Sequence, residues 1–481
     1  MTNSVTIAQA RLRLEDPHDS TDANDVLTIF DAFFDGLVHY GAKTGFEPAL
    51  AASWTTSPDA LEWNFTLREG LTFHDGAVCD AQAVCQSLQR MARADKGYTL
   101  GAPGVWHQYL GDARIEALTS STVRIALSRP VADLLDVLVY GYIASPACLA
   151  RMEAGDVSQP VGTGPYRFES FDGKEMRATR NDKWFGAAPR NGAIRWVLET
   201  DASIRQDMLV SGKAGIANTL DFTRSGSISA DGFQREISLV PVAIIYLFNS
   251  KGGPLRDPRV RRALNLAINR TELIDGVVDG AAVPLAGFVS PRHFGVVAGD
   301  EITQDLAEAK RLLADAGHGN GLTLEVDCPT RLPDEAERLT QAVARQLENI
   351  GVRFNVHLHQ DREAYAHMIR RKEIRDLCIF DSSPLSTFRV LYEKIDARVQ
   401  GSWWQGYHNA AVEQLLDEGR ATVDDTARAA IYRKAYEELQ RDPPWLYLYN
   451  PLRVTGLRAH KGQWAMRRDS VLDVSMLPEF L

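Results

Sequence analysis

The sequence predicts an α/β protein that is divided into at least two domains. A segment in the middle of the chain alternates regularly between strands and helices, whereas the first 160 residues mix antiparallel strands with helices. The chain has 481 residues, of which 45% are hydrophobic and 24% are charged. This composition is typical of globular proteins, and one hydrophobic core stops growing at roughly 250–300 residues, so two or three domains are expected.

The alternating segment predicts a parallel sheet. Its elements, in order, are a strand at Leu322–Asp327, a helix at Asp334–Ile350, a strand at Val352–Leu358, a helix at Arg362–Arg371 and a strand at Leu377–Phe380. Gly351 stands where the first of these helices needs a left-handed residue in order to end. Strands separated by helices in this way are joined by right-handed crossovers and lie parallel.

A further helix is predicted to begin after Asp257. The Asp257 carboxylate can cap the free N–H groups of the first turn, and Pro258 fits the first helical position. Apolar residues then recur at helical spacing. The arginines between them, Arg259, Arg261 and Arg262, are predicted to form a solvated face rather than a contact with nucleic acid.

The early part of the chain favours an α+β arrangement. Alternating patterns predict strands at 61–67 and 122–127, with a helix between them at 80–93. Hairpins mixed with helices in this way are typical of an α+β subdomain. Two more helices are predicted near the end of the chain, at 410–419 and 426–441.

The acidic balance of the chain argues against nucleic acid as a partner. The chain carries 53 basic and 63 acidic residues, a formal net charge of −10. This charge disfavours phosphate backbones and anionic membranes. No stretch approaches the roughly 20 apolar residues that a transmembrane helix needs.

The first residues show no secretory signal. Met1–Ser4 leads directly into Val5–Ala8, which alternates like a strand, without the basic segment, apolar run and cleavage site of a leader. Two explanations are compatible with this pattern. Either a leader has been removed, or the protein stays inside the cell.

The cysteines exclude a dense disulfide framework. There are five of them, and none has the CxxC or zinc-type spacing. Buried free thiols are expected. A Cys79–Cys85 pair is the alternative if a turn brings the two together.

The sequence offers no catalytic constellation. Gly162–Tyr166 is rich in glycine, but it lacks the ending of a phosphate-binding loop and does not fit the dinucleotide fingerprint. His357 and His359 share one face of a strand, and a pair without a third ligand is more often structural than metal-binding. His74 and Asp75 are predicted to serve a turn. We therefore expect no enzyme activity, no cofactor and no metal site.

Aromatic residues are dense in two glycine-containing segments. One holds Trp403, Trp404 and Tyr407 beside Gly401 and Gly406, and the other holds Trp106, His107 and Tyr109 after Gly101 and Gly104. Aromatic side chains on such loops suit the walls of a ligand pocket. The alternative is a loop packed onto its own domain.

Several motifs form an ordered set along the chain. They are Pro48–Trp54, Trp63–Gly70, Phe73–Gly76, Gly162–Tyr166, Asp257–Leu264 with Ala267–Arg270, and Gly406–Asn409. Together they resemble the peptide/nickel/opine family, the family 5 extracellular solute-binding proteins. The resemblance extends from about Pro48 to Pro451 and so covers nearly the whole chain.

The resemblance implies a two-lobed periplasmic-binding-protein fold of type II, with an extra α+β subdomain in the first lobe. The core of lobe I would comprise 1–45, 161–240 and 458–481, with the subdomain at 46–160. Lobe II would comprise 241–457. Such proteins close about a hinge on a ligand held between the lobes.

The function implied by the resemblance is that of the solute-binding component of an ABC importer. As a monomer, the protein would capture a small polar solute and deliver it to permease subunits in the inner membrane. The solute classes that remain open are peptide-like molecules, opines, metal chelates and sugar conjugates. The expected location is the periplasm, although the missing leader leaves the cytoplasm open. The alternative function is a cytoplasmic ligand sensor on the same fold.

Seven residues are candidate ligand contacts: Trp403, Trp404, Tyr407, Arg389, Asp381, Tyr246 and Asn249. The two tryptophans would supply apolar walls, and since neighbours in extended chain face opposite ways, only one of them is expected to contact the ligand. Tyr246 and Asn249 would give hydrogen bonds. Arg389 would pair with a ligand carboxylate, because its planar fork suits that geometry.

Asp381 departs from the pattern of the peptide-binding members that the chain resembles. Those members often carry, four residues before a proline, an acidic residue that pairs with the ligand's α-ammonium group. Here Phe380 occupies that position before Pro384, and Asp381 follows it. A shift of one residue turns a side chain to the opposite face of an extended chain. A peptide with a free amino terminus is therefore disfavoured.

Overall fold

The chain leaves its first structural unit at Ser238 and returns to it at Arg453. The computed structural model describes residues 3–19, 23–41, 45–98, 104–228, 232–296, 302–331, 333–462 and 464–480. The first unit is Met1–Ser238 with Arg453–Leu481, and the second is Leu239–Leu452. The second unit is therefore one continuous insertion in the sequence of the first.

Strands and helices occur throughout both units. The strands are β1 (Ser4–Gln9), β2 (Val38–Tyr40), β3 (Phe46–Pro48), β4 (Ala51–Thr56), β5 (Glu62–Leu67), β6 (Arg114–Thr119), β7 (Thr122–Ala126), β8 (Tyr166–Phe171), β9 (Glu175–Arg180), β10 (Ala193–Leu198), β11 (Ile216–Leu220), β12 (Phe233–Leu239), β13 (Ala243–Phe248), β14 (Ala282–Pro284), β15 (Leu322–Pro329), β16 (Val352–His359), β17 (Leu377–Ser382), β18 (Trp445–Arg458), β19 (His460–Lys461) and β20 (Glu479–Phe480). The helices are α1 (Asn24–Phe33), α2 (Ala81–Met91), α3 (His107–Leu110), α4 (Leu135–Leu138), α5 (Pro146–Glu153), α6 (Ala202–Val210), α7 (Pro258–Leu266), α8 (Arg270–Val278), α9 (Leu306–Asp315), α10 (Ala336–Glu348), α11 (Arg362–Arg370), α12 (Thr387–Val390), α13 (Ala410–Arg420) and α14 (Asp425–Arg441).

The first unit is built on a mixed sheet with the strand order β11–β1–β10–β9–β8. Strand β1 is parallel to both β10 and β11, and the remaining neighbours are antiparallel. Ile7 of β1, Trp196 of β10 and Phe33 of α1 are fully buried in the core beside the sheet. The alternating pattern at the start of the chain thus belongs to a central strand.

The first unit also contains a separate sheet, β4–β5–β7–β6, which is entirely antiparallel. Helix α2 packs on this sheet. The helix begins at Asp80, whose side chain accepts a hydrogen bond from the Ala83 N–H. Gln89 ties the helix to the sheet by donating to the Ile115 carbonyl oxygen at 2.8 Å. The predicted α+β arrangement is confirmed.

The glycines on either side of Thr163 allow two backbones to touch within the first unit. Thr163 Oγ1 donates to a carboxylate oxygen of the buried Asp35 at 2.8 Å. A Cβ atom at Gly162 would clash with the carbonyl oxygen of Phe33, and one at Gly164 would meet that of Ala32 at 2.6 Å. The glycine-rich segment is therefore explained by packing.

His74 and Asp75 form the predicted turn. A carboxylate oxygen of Asp75 accepts from the Ala77 N–H at 3.0 Å. His74 Nε2 lies 2.9 Å from the Gly164 carbonyl oxygen. The pair therefore holds a turn and ties it to the neighbouring glycine segment.

The second unit contains the predicted parallel sheet. Its strand order is β16–β15–β17–β13–β18, and β15 is parallel to both β16 and β17. Helices α10 and α11 lie in the two connections, as predicted from the alternating pattern. Gly351 follows α10 with a φ of 79°, which confirms the left-handed end of that helix.

Strand β18 runs through both units. Its first residues pair with β13 and β14 in the second unit. Its last residues pair with β11 in the first unit, where Leu457 lies opposite Ile216. One strand thus carries the chain back into the first unit.

Arg261 is buried, which corrects the prediction of a solvated arginine face on α7. Its guanidinium donates to the carbonyl oxygens of Leu255 and Pro443, each at 2.9 Å, and forms an ion pair with Asp442. Arg262, the next residue, is exposed. The residues before α7 and after α14 cover this side of α7, and the guanidinium satisfies their backbone oxygens.

Trp106 and Tyr109 are buried in the first unit, which favours the alternative of a loop packed onto its own domain. The Trp106 ring stacks on Tyr140 with 5.7 Å between centroids. Its indole N–H donates to the His18 carbonyl oxygen at 2.7 Å.

All five cysteines are buried and free, so the default expectation for them is confirmed. None of the helices in the described part of the chain is both long and apolar enough to cross a membrane.

Candidate functional site

Two aromatic residues contact each other at the end of strand β17 in the second unit. The ring of Phe380 lies 4.5 Å from that of Trp403, centroid to centroid, with the planes inclined by 36°. Phe380 is 4% exposed and Trp403 is 9% exposed. Both rings are buried, and each fixes the orientation of the other.

Glycines shape the segment that carries Trp403. A Cβ atom at Gly401 would clash with the carbonyl oxygen of Glu393, and one at Gly406 would clash with Lys251. The N–H of Trp404 donates back to the Gly401 carbonyl oxygen at 3.1 Å, which closes a turn. The sequence therefore places both tryptophans on a tight turn pressed against its neighbours.

Two arginines of helix α11 lie over the aromatic pair, one over each ring. The Arg362 guanidinium is 5.3 Å from the Phe380 centroid, and the Arg370 guanidinium is 5.6 Å from the Trp403 centroid. Residues eight apart return to the same side of a helix after a little over two turns. A cation over an aromatic face is attracted by the ring's quadrupole. We call Phe380, Trp403, Arg362 and Arg370 the aromatic–arginine cluster.

An acidic residue lies beside the Arg362 end of the cluster. A carboxylate oxygen of Asp381 lies 3.6 Å from Arg362 Nη2, which is within ion-pair range but too long for a hydrogen bond. Burial lowers the pKa of Arg370; Glu363 opposes this shift, and the charge of Arg362 adds to it. The two guanidinium groups therefore repel each other.

Two hydrogen-bond donors of Arg362 have no acceptor in the part of the chain that the structure describes. Its Nε and Nη1 atoms are buried and make no hydrogen bond to any described residue. Only 11% of the Arg362 side chain is exposed. Asp361, which precedes it, uses its carboxylate to cap Glu363 and Ala364 instead. Buried charged donors are normally satisfied, so these two N–H groups call for an acceptor.

Trp404 and Tyr407 bond within their own segment and its surroundings. The Trp404 indole N–H donates to the Tyr407 carbonyl oxygen at 2.6 Å. The Tyr407 hydroxyl donates to the Asp442 carbonyl oxygen at 2.9 Å, and the Arg261 guanidinium lies 5.4 Å from its ring centroid. Burial raises the pKa of Tyr407. Tyr407 thus anchors the turn that bears the tryptophans.

Arg389 already has a carboxylate partner. Its Nε atom donates to Glu393 Oε1 at 2.8 Å, one helical turn later, and the side chain is buried. A solute carboxylate at this position would have to compete with Glu393.

Tyr246 and Asn249 serve the packing of β13. Tyr246 is fully buried, with its hydroxyl 2.7 Å from Thr340 Oγ1. Asn249 donates to the carbonyl oxygens of Ile374 and Arg375, at 3.0 and 2.9 Å. It also borders an open depression of about 500 Å³.

The structure brings Trp403 and Asp381 together with two residues that sequence reasoning missed, Arg362 and Arg370. The sequence did contain a signal that pointed to Arg362. Arg362 is in phase with Tyr365 and Ile369, at i+3 and i+7, and both of those residues are buried. An arginine in phase with the buried face of a helix is an unusual feature that needs a partner.

The histidines of β16 pair with single carboxylates. His357 lies 2.5 Å from Glu325, and His359 lies 2.8 Å from Asp327. Within the described ranges there is no group of three or more His, Cys, Asp or Glu side chains that could hold a metal ion.

Comparison with known proteins identifies the family. Residues 45–384, more than half of the chain, match the model of the bacterial extracellular solute-binding proteins, family 5 Middle. The chain belongs to this family. The resemblance of the ordered motifs is thereby confirmed. A family 5 protein is a solute-binding component of ABC importers and not an enzyme.

Individual relatives agree with this membership. The glutathione-binding protein GsiB of Salmonella paratyphi A is 26% identical over 448 residues, which cover 89% of this chain and 86% of the relative. The structure of AgaA from A. tumefaciens R10 in complex with agropinic acid matches with a TM-score of 0.79 and 23% identity, covering 98% of this chain and 96% of AgaA. The periplasmic binding protein DppA of Helicobacter pylori in complex with the peptide STSA matches with a TM-score of 0.78 and 23% identity over 98% of each chain. The two-lobed periplasmic-binding-protein fold of this family 5 protein is confirmed.

Proposed function

We propose that this family 5 protein captures a small polar solute by closure of its two lobes and delivers it to the permease of an ABC importer. It acts as a monomer in the periplasm, facing permease subunits in the inner membrane. The observation that supports a polar solute is the aromatic–arginine cluster. It combines aromatic rings with the Arg362 guanidinium, two of whose donors have no acceptor among the described residues, and ligand pockets combine apolar and polar groups in this way.

Within the cluster, Trp403 supplies an apolar wall and Asp381 a polar contact at its edge. Trp404 lies on the same turn and is the second candidate for the wall. Tyr407 and Arg389 position this region through their bonds to Asp442 and Glu393. We do not place Tyr246 or Asn249 in contact with the solute, because other groups of the second unit occupy their polar atoms.

The relatives indicate which solutes to test first. GsiB is named for glutathione, and the AgaA and DppA structures hold agropinic acid and a peptide. Peptide-like solutes and opines are thus the classes we propose for this chain, with metal chelates as the third.

Thermal unfolding with a panel of solutes tests the proposal. The panel contains glutathione, agropinic acid, the peptide STSA and a nickel–histidine chelate. A ligand that binds only the folded state stabilises it by about 2.7 kcal/mol at a concentration one hundred times its dissociation constant. We expect one class to raise the melting temperature in proportion to the logarithm of its concentration and to be recovered unchanged. If no class does so, or if the recovered solute is altered, the proposal is wrong.

Lobe closure is tested separately by small-angle X-ray scattering. A solute that raises the melting temperature should also reduce the radius of gyration. Identical scattering curves with and without such a solute would refute closure and leave the binding function intact.

A further inference from the structure

Asparagine followed by glycine occurs twice in the sequence, at Asn191–Gly192 and at Asn320–Gly321. This dipeptide is chemically labile, because the backbone nitrogen of the second residue can attack the side-chain carbonyl carbon of the asparagine. A glycine in the second position has no Cβ atom to obstruct the attack. The reaction requires that the asparagine side chain and the following backbone move together, so the structure decides which of the two sites can react.

Asn191 is held by its surroundings in the first unit. It is 1% exposed. Its Nδ2 atom donates to the Pro478 carbonyl oxygen at 3.1 Å, and its own carbonyl oxygen accepts from the Tyr166 hydroxyl at 3.0 Å. The Gly192 N–H donates to the Asn3 carbonyl oxygen at 2.7 Å. Attack by the Gly192 nitrogen would disturb all of these bonds inside a packed core.

Asn320 lies in the turn between α9 and β15 of the second unit, where the packing is the opposite. Asn320 is exposed, as are Gly319 and Gly321 on either side of it. Its side-chain amide makes no hydrogen bond to a residue in the described ranges. The Gly321 N–H donates to the His318 carbonyl oxygen at 3.1 Å, within the same surface turn. Opening of this one turn therefore frees both reacting groups.

The fold requires the glycine that makes Asn320 labile. Gly321 has a φ of 110°, a conformation that favours glycine. A Cβ atom there would also lie 3.3 Å from the Gly351 carbonyl oxygen. The turn into β15 thus keeps an exposed asparagine next to a residue that does not hinder the attack.

We propose that Asn320 is a site of spontaneous deamidation in the folded protein and that Asn191 is not. The Gly321 nitrogen forms a bond to Asn320 Cγ, the Cγ–Nδ2 bond breaks, and ammonia leaves with the proton that Gly321 gave up. Water then opens the succinimide ring. Opening at Cγ gives aspartate, and opening at the main-chain carbonyl gives isoaspartate, whose backbone contains one more methylene group.

The modified residue stands directly before the parallel sheet. The Leu322 N–H donates to the Gly351 carbonyl oxygen at 3.0 Å, and Leu322 lies opposite Val352 of β16. Isoaspartate at 320 lengthens the backbone two residues before this first paired position, and both products add a negative charge. Deamidation therefore alters the chain at the start of β15 and does not involve the solute.

Mass spectrometry of the aged protein tests the proposal. The full chain is incubated at mildly alkaline pH in water labelled with heavy oxygen and is then digested with trypsin in ordinary water. Only carboxylates formed during the incubation carry the label. Trypsin cleaves after lysine and arginine, so Asn191 and Asn320 fall in separate peptides, 191–195 and 312–331. Electron-transfer fragmentation distinguishes aspartate from isoaspartate.

We expect Asn320 to deamidate at least about tenfold faster than Asn191 in the folded protein, because Asn191 reacts only after a costly local opening. In urea, which unfolds both sites, the two rates should become similar. The matched control is Asn320→Gln, whose longer side chain would have to close a six-membered ring. This variant should lose the deamidation of peptide 312–331 and leave peptide 191–195 unchanged, and thermal unfolding confirms that it is folded.

Two results would overturn the proposal. One is the absence of deamidation at Asn320 in the folded protein, or a rate no greater than that of Asn191. The other is a labelled product that contains aspartate but no isoaspartate, since direct hydrolysis of the amide gives aspartate alone and does not use the Gly321 nitrogen.

Discussion

The rings of Phe380 and Trp403 lie in direct contact, although 22 residues of sequence separate them. One belongs to a strand and the other to a turn held in place by glycines. Each ring therefore limits the movement of the other.

Removing the Trp403 ring tests whether that contact is part of the packing. Trp403→Ala should lower the free energy of unfolding by roughly 3–5 kcal/mol, the usual cost of truncating a large buried side chain. Trp404→Ala should cost less, with about 1 kcal/mol from the lost indole hydrogen bond to Tyr407. Urea unfolding of both variants gives the two values. Equal costs would contradict the difference in packing.

Solute affinity is a second, independent result from the same two variants. A lost aromatic contact costs about 2 kcal/mol, or roughly thirtyfold in dissociation constant. We expect only one of the two variants to lose affinity for the solute that the thermal panel selects, measured by tryptophan fluorescence well below the melting temperature. If both bind normally, neither tryptophan is a wall of the site.

Acid should destabilise the first unit through His18. Its Nε2–H donates to the Tyr142 carbonyl oxygen at 2.9 Å, and its Nδ1 accepts from Arg90 at 2.8 Å, so the buried ring is held neutral. Burial lowers the pKa of His18 to about 4. In the unfolded chain an imidazole titrates near pH 6.5. The unfolded state therefore takes up the proton first as the pH falls, and stability is lost between about pH 6.5 and pH 4.

The size of this loss is about 3 kcal/mol when the pKa difference is converted to free energy. His18→Gln keeps a donor for Tyr142 but cannot titrate, so the variant should lose less stability than the parent between pH 7 and pH 4. The exposed His408 provides the control in His408→Gln. The slope of stability against pH is compared between variant and parent, so the contributions of titrating groups that both contain cancel. Asp19 is one such group, since burial raises its pKa to about 6. Parallel stability curves for parent and His18→Gln would show that the ring is protonated in the folded state.

Gly162→Ala tests the close approach of backbones in the first unit. The added methyl group would collide with the Phe33 carbonyl oxygen, which belongs to the rigid backbone at the end of α1. We expect a loss of about 1–3 kcal/mol or more in the free energy of unfolding, as for other overpacked sites. Gly276→Ala is the control, since a Cβ atom there meets open space on α8 and should stabilise by about 1 kcal/mol. Similar values for the two variants would contradict the packing explanation.

Arg261 and Arg262 are adjacent arginines with opposite surroundings. Arg261→Met leaves the Asp442 carboxylate and three carbonyl oxygens without this donor and should cost about 3–5 kcal/mol. Arg262→Met removes an exposed charge and should change stability by no more than about 0.5 kcal/mol. Chemical unfolding of the two variants measures the difference. A small loss in Arg261→Met would show that its buried bonds contribute little.

The elements that could be predicted from the sequence are those whose signal is local. Periodicity placed the strands and helices between Leu322 and Phe380 to within a few residues, and Asp257 caps α7 by accepting from the Arg259 N–H at 2.9 Å. In each case the residues that determine the structure are close neighbours in the chain. The family resemblance succeeded for a different reason, since its motifs mark tight turns and backbone contacts that tolerate few residue types.

What could not be predicted depends on residues that are distant in sequence. Arg261 is a normal surface residue by type, and only the segments that cover α7 make it a buried one. Arg362 lies beside Phe380 of β17. The periodicity of the sequence does not show where β17 lies relative to α11. The surroundings of Trp106 could not be predicted either. An aromatic residue near a glycine has the same sequence pattern whether it lines a pocket or packs in a core.

Strand β18 determines the order in which the protein can be completed during synthesis. When the chain emerges amino terminus first, the whole of the second unit, up to Leu452, is available before the residues that pair with β11. The first unit begins the chain, but its strand β11 lacks the pairing with β18 until the residues after Leu452 emerge. The insertion has its complete sequence earlier, so the unit that is translated second is the first that can finish folding.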